Sequence, residues 1–125
     1  MIVGLGVDLL ENKRVEQELT RGDWRHGDGI FTREEMTRCN AGKNPALRYA
    51  ACFAAKEATL KALRVEISDL GMFHEVEISL GITGAHAVVL HDRLQSVSEA
   101  LGVRHIRVST AAAAKQTGAM VILES

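Results

Sequence analysis

The stretch Cys52-Phe53-Ala54-Ala55-Lys56-Glu57-Ala58-Thr59-Leu60-Lys61-Ala62 decides how the rest of this sequence is read. It holds no glycine or proline and is rich in helix formers. It lies inside a run that opens at Asn44-Pro45, an N-cap residue followed by proline at the first helical position, and continues to Leu63. The run predicts the longest helix of the chain. Along it Phe53, Glu57 and Lys61 recur at i, i+4 and i+8, so they share one face and can point at one object. Ala54, Ala55 and Ala58 keep the surface around them small, which lets another backbone or a ligand come close.

Outward from that helix the pattern alternates between short strands and helices. Met1 to Leu9 reads as an opening strand containing Gly4-Leu5-Gly6-Val7-Asp8, with Asp8 at its end, and Glu11 to Leu19 reads as a helix with Val15 and Leu19 on its apolar side. Thr20 to Ile30, rich in Gly, Asp, Arg and His, predicts a loop, and Thr32-x-x-Glu35 is a capping box that starts a short helix. Phe73 to Leu80 alternates as a strand does, and Gly81 to Gly84 turns it into Ala85 to Leu90, making a hairpin. His91 to Leu101 predicts a helix closed by Gly102, followed by strands at Arg104 to Ser109 and Ala119 to Glu124 that can pair. Between them the alanine run within Thr110 to Gly118 is weakly helical by composition. With no repeat and no linker, residues 1–125 read as one domain.

Hydrophobic residues make up 46%, charged residues 25%, and the net charge is -1, which argues against both disorder and a polyanion-binding surface. Nucleic acid is therefore not an expected partner. The apolar runs are short and broken by charge, and the N-terminus lacks a basic region followed by a long apolar run, so no membrane segment is expected and the setting reads as cytoplasmic. Cys39 and Cys52 lack C-x-x-C spacing and read as reduced, buried or incidental thiols. His26, His74, His91 and His105 have no metal-ligand spacing, and Trp24 reads equally well as a partner anchor or as a ring folded over the core.

An acidic residue at a strand end and a Lys-Glu pair in an alanine-rich helix suit phosphate chemistry. Asp8 and Glu57 are a candidate pair of divalent-cation ligands, with phosphate oxygens and water completing the shell, and Lys61, one turn beyond Glu57, is placed to neutralise a phosphate. Spacing alone also permits a plainer arrangement, an exposed Glu57–Lys61 pair worth about 0.3 to 0.5 kcal/mol.

These segments together resemble the stand-alone holo-acyl-carrier-protein synthases, the trimeric phosphopantetheinyl transferases. That family opens with G-[IL]-G-x-D followed by an acidic residue and an arginine, matched by Gly4 to Asp8, Glu11 and Arg14. Its R-F-A-A-K-E-A-x-x-K-A block is matched by Cys52 to Ala62 at every fixed position but the first. Phe31 to Glu35, Phe73 to Ile78 and Val121 to Glu124 resemble its helix start, a later strand and its C-terminal strand.

The resemblance implies an α+β, phosphopantetheinyl transferase-like fold, with a long helix packed on a small antiparallel sheet and active sites between subunits of a homotrimer. It implies magnesium (Mg2+) held by Asp8 and Glu57 against the pyrophosphate of coenzyme A, with Lys56 and Lys61 along the phosphates and Arg64 and Ser109 on the nucleotide side. A serine of an acyl carrier protein, met by Arg14, would attack the β-phosphate and release 3',5'-ADP, with Glu57, Lys61 and Asp8 as the catalytic group and either Glu57 or a metal-bound water taking the serine proton.

Four features on the nucleotide side depart from the pattern. Cys52 stands for arginine, Arg64-Val65-Glu66 for G-T-G, His86 for a turn proline and Ala112 for a histidine that reaches a phosphate. Arg64 reads either as a replacement cation or as a solvated side chain, and so does Lys115. Two functions follow: a transferase with an altered nucleotide pocket, or a diverged relative that binds a carrier protein or acts on another carrier-linked substrate.

Overall fold

A computed structural model describes residues 1–22, 29–81 and 86–125. Trp24, His26 and the turn at Gly84 lie outside the described residues. In chain order the elements are β1 (Ile2–Glu11), α1 (Asn12–Arg21), α2 (Arg33–Ala41), α3 (Pro45–Leu63), a helical turn α4 (Gly71–His74), β2 (Val76–Leu80), β3 (His86–Leu90), α5 (Asp92–Ala100), β4 (His105–Ala112) and β5 (Gln116–Glu124). Strands β1, β5 and β4 form one antiparallel sheet in that order, and β2 and β3 form a hairpin beside β4. The class is α+β, with α3 as the long helix lying on the three-stranded sheet. No helix among the described residues is long and apolar enough to cross a membrane.

The opening glycines set how closely helix and sheet meet. Along β1, Gly4, Gly6 and Asp8 face inward and are buried, while Leu5, Val7 and Leu9 face out. A Cβ on Gly6 would fall 1.9 Å from the carbonyl oxygen of Ala58, and one on Gly4 would fall 2.4 Å from that of Ala62. Two residues of strand rise about 6.6 Å and four residues of helix about 6 Å, so the G-x-G and A-x-x-x-A repeats stay in step. The helix therefore seats its backbone directly on the strand, and Asp8 follows at the next inward position.

The other side of α3 is pinned by a buried ionic network. Thr32 and Glu35 form the expected capping box, with Thr32 N donating to Glu35 Oε1 at 2.8 Å and Glu35 N donating to Thr32 Oγ1 at 3.1 Å. Glu35 Oε1 also meets Lys56 Nζ at 2.7 Å, and Oε2 accepts from Ile78 N at 2.7 Å and from Cys52 Sγ at 3.5 Å. One residue thus ties α2 to α3 and to β2.

Two segments differ from the sequence expectation. Phe73 and His74 belong to the α4 turn, and the strand begins only at Val76, because Lys56 Nζ takes the carbonyls of both Phe73 and Val76 at 2.7 and 2.6 Å and fixes a bend between them. The alanine run is not helical. Strand pairing continues through Ala112, opposite Thr117, since the ladder hydrogen bonds of β4 and β5 outweigh the few tenths of a kcal/mol per residue by which alanine favours helix.

Candidate active site

Asp8 from β1, Arg14 and Glu18 from α1, and Phe53 and Glu57 from α3 line a cavity of about 330 Å³. Lys61 Nζ bonds to Asp8 Oδ1 at 2.9 Å and to the Val7 carbonyl at 3.3 Å. Lys61 thus turns to Asp8, not to Glu57 as in the simple i,i+4 arrangement. The hydrogen bond to Asp8 raises the Lys61 ammonium above its ordinary range, so it stays charged.

The second oxygen of Asp8 is the most informative atom in the cavity. Asp8 is 7% exposed, and its Oδ2 is buried without a hydrogen-bond partner among the described residues. Burial, together with the hydrogen-bonding approach and the charge of Asp8, pushes the Glu57 carboxyl up to about 7, while Lys61 and Arg14 pull it down. Two carboxylates that close, one with an unused lone pair, call for a proton or a cation between them. No cluster of three or more metal-ligating side chains occurs among the described residues. A cation here would take two protein oxygens and fill its shell from phosphate and water, as magnesium does in phosphoryl-transfer sites. The donor set therefore fits.

The remaining expected site residues are dispersed. Lys56 is corrected: it is 0% exposed, and its three ammonium protons go to Glu35, Phe73 O and Val76 O, so none is free for a phosphate. Cys52 is likewise internal, 1% exposed beside Glu35, with its thiol pushed well up by burial and by a hydrogen bond with Cys39, and so is not a position on the nucleotide side. Arg64 is exposed and caps α3 in the left-handed conformation, φ 57° and ψ 37°. That is the conformation a glycine adopts without strain, a physical reason for the G of G-T-G at this place. Ser109 lies on the outward face of the sheet, opposite Met120, and lines a second cavity with Val7, Leu9 and Ala111, to which Asp8 also contributes. His86 bonds through Nε2 to Thr110 Oγ1 at 2.9 Å, joining the hairpin to β4. Ala112 offers no polar side chain.

Residues 4–116 match the 4'-phosphopantetheinyl transferase superfamily. The chain belongs to that superfamily. A holo-[acyl-carrier-protein] synthase of Nitratidesulfovibrio vulgaris is 36% identical over 100% of both chains. One of Vibrio cholerae is 36% identical over 99% of this chain and 98% of its own. Among solved structures, the holo-[acyl-carrier-protein] synthase of Neisseria meningitidis superposes with a TM-score of 0.85 at 27% identity, covering 100% of each chain. That of Bacillus anthracis, determined in complex with CoA (3',5'-ADP), superposes with a TM-score of 0.78 at 27% identity, covering 100% of this chain and 98% of its own. In this phosphopantetheinyl transferase fold Asn12 and Thr117 form a buried polar pair near the site, with Thr117 Oγ1 donating to Asn12 Oδ1 at 2.6 Å. No local sequence signal marks a contact between residues so far apart in the chain.

Proposed function

We propose that this chain, one domain over residues 1–125 acting in the cytoplasm, transfers 4'-phosphopantetheine from coenzyme A to a serine of an acyl carrier protein in a magnesium-dependent reaction. The observation that carries the reading is the buried, unpartnered Asp8 Oδ2 beside a Glu57 whose carboxyl sits near neutrality. Asp8 and Glu57 would hold the cation, which when bound would neutralise the charge of the diphosphate. Lys61, a half-exposed side chain anchored on Asp8, supplies a second positive charge for a phosphate oxygen. Glu57, or a water held by the cation, would take the serine proton. The serine oxygen forms its bond to the β-phosphorus as the bond to 3',5'-ADP breaks, and the nucleotide leaves with the electron pair. Arg14, on the rim of the same cavity, meets the acidic carrier.

The same reading places the protein in a homotrimer. The outward sheet face exposes Leu5, Val7, Leu9 and Met120, an apolar strip of the kind that subunit interfaces cover. Ser109 lies on that face and Arg64 is exposed at the C-cap of α3, and in this arrangement both would serve nucleotide bound at a neighbouring subunit's carboxylates. Ala112 and the left-handed Arg64 favour the second reading, a carrier-binding relative without transfer activity. Calorimetry with coenzyme A, with and without magnesium, separates the two. Magnesium-dependent binding that Glu57→Gln abolishes is expected, and no binding at millimolar coenzyme A defeats the transferase reading.

A further inference from the structure

Asn12, at the first position of α1, is spent entirely on the far end of the chain. Its backbone N donates to Lys115 O at 2.8 Å, and its Nδ2 donates to Ala113 O at 2.8 Å and Ala114 O at 3.3 Å. Three consecutive carbonyls of the β4–β5 turn converge on one residue, whose remaining oxygen is taken by Thr117. Asn12 is 6% exposed and Thr117 0%. Ala111 to Ala114 have no polar side chains, so Asn12 provides the turn's anchor to α1. In return the Lys115 carbonyl satisfies a free amide at the start of α1, where Glu11 makes no side-chain cap bond.

The two tied segments face each other across a cleft of about 760 Å³, with Glu11, Lys13 and Glu16 on one side and Ala114, Lys115 and Gln116 on the other. Glu11 also lines the cavity that holds Asp8 and Glu57, so the cleft adjoins the carboxylates. We propose that this cleft receives the pantetheine arm of coenzyme A and that Asn12 is the positioning residue that sets its width; the inference rests on the transferase reading above. Two carboxylates and two ammonium groups make the lining neutral overall, which suits an uncharged arm with two amides and opposes a nucleotide bearing phosphates. Gln116 and Lys115 can donate to the arm's carbonyls, and Glu11 and Glu16 can accept from its N–H groups. The volume falls in the range of small-molecule clefts, about 300 to 1,000 Å³.

The test compares coenzyme A with 3'-phosphoadenosine 5'-diphosphate, which keeps the diphosphate and lacks the arm, by calorimetry in magnesium on the full chain and on Asn12→Leu and Thr117→Val. Coenzyme A is expected to bind each variant about tenfold more weakly, while 3'-phosphoadenosine 5'-diphosphate stays within about twofold and amide exchange at 113–117 quickens. Thr117→Val keeps the shape of the core and carries the test where Asn12→Leu fails to fold. Equal weakening of both ligands, as a purely structural role predicts, overturns the inference, and so does no change in either. Coenzyme A binding by the natural chain that both variants leave intact defeats this inference alone, whereas no binding by the natural chain defeats the transferase reading beneath it.

Discussion

Replacing Gly6 by alanine strikes the point on which fold and site both depend. The new methyl carbon would start 1.9 Å from Ala58 O and 2.8 Å from Ala62 N, both backbone atoms of α3. Relief to an ordinary contact needs a shift of more than about 1 Å, and the helix cannot yield by turning a side chain. Overpacking of this kind costs about 3 kcal/mol, and the lower entropy of the unfolded chain returns about 0.5 to 1, leaving a net loss of about 2 kcal/mol. At roughly 4 °C per kcal/mol for a chain of this size, the melting temperature falls by about 8 °C, measured at fixed chain concentration because assembly also stabilises. Asp8, two residues along the same strand, moves with it, so the 2.9 Å bond to Lys61 opens and magnesium-dependent coenzyme A binding weakens. Gly118→Ala is the control, since its methyl would meet Leu9 Cδ1 at 3.2 Å and Asp8 O at 3.3 Å, and its cost is expected to stay within about 1 kcal/mol. A Gly6→Ala variant that melts within 2 °C of the natural protein and binds coenzyme A equally well would refute the close-approach explanation of the G-x-G motif.

Lys56→Met leaves Glu35 charged and buried without its cation, and is expected to destabilise the fold by about 3 to 5 kcal/mol in denaturant titration; an effect confined to coenzyme A affinity would return Lys56 to the phosphates. Cation affinity is expected to fall about tenfold per pH unit below about 7 and to level off above it, since the metal competes with the proton on Glu57, and isothermal titration across pH checks this. The sign for stability is the reverse: Glu57 shifts from 4.5 to about 7 on folding, so its contribution is full below about 4.5 and lost as pH rises through about 7 in the absence of metal, a slope that Glu57→Gln removes. Arg64→Gly relieves a left-handed arginine and is expected to stabilise the chain by about 0.5 to 1 kcal/mol in thermal unfolding, while weakening coenzyme A binding through loss of a cation.

Helix α3 was legible because its N-terminal cap and its 3.6-residue spacing are local, and the face carrying Phe53, Glu57 and Lys61 follows from counting along it. Asp8 and its neighbouring glycines became meaningful through the resemblance, since nothing local says which helix β1 will meet. Lys56 was misplaced for a related reason. It lies one residue from Glu57 but about 100° around the helix, and the partner that takes its charge, Glu35, is supplied by another helix. The alanine run misled because propensity is weak beside strand pairing, and the residue that anchors its turn, Asn12, lies over a hundred positions away. Arg64 carried no sequence sign of its left-handed backbone apart from the glycine of the family pattern.

The most direct measurement of the central claim is the intact mass of an acyl carrier protein incubated with this chain, coenzyme A and magnesium. The site described here predicts that the carrier gains one phosphopantetheine on a serine, that 3',5'-ADP appears in equal amount, and that chelation of the metal or Glu57→Gln stops both. Transfer that proceeds unchanged in the Glu57→Gln protein, or under chelation, would contradict the assignment of Asp8 and Glu57 as the carboxylates on which the reaction depends.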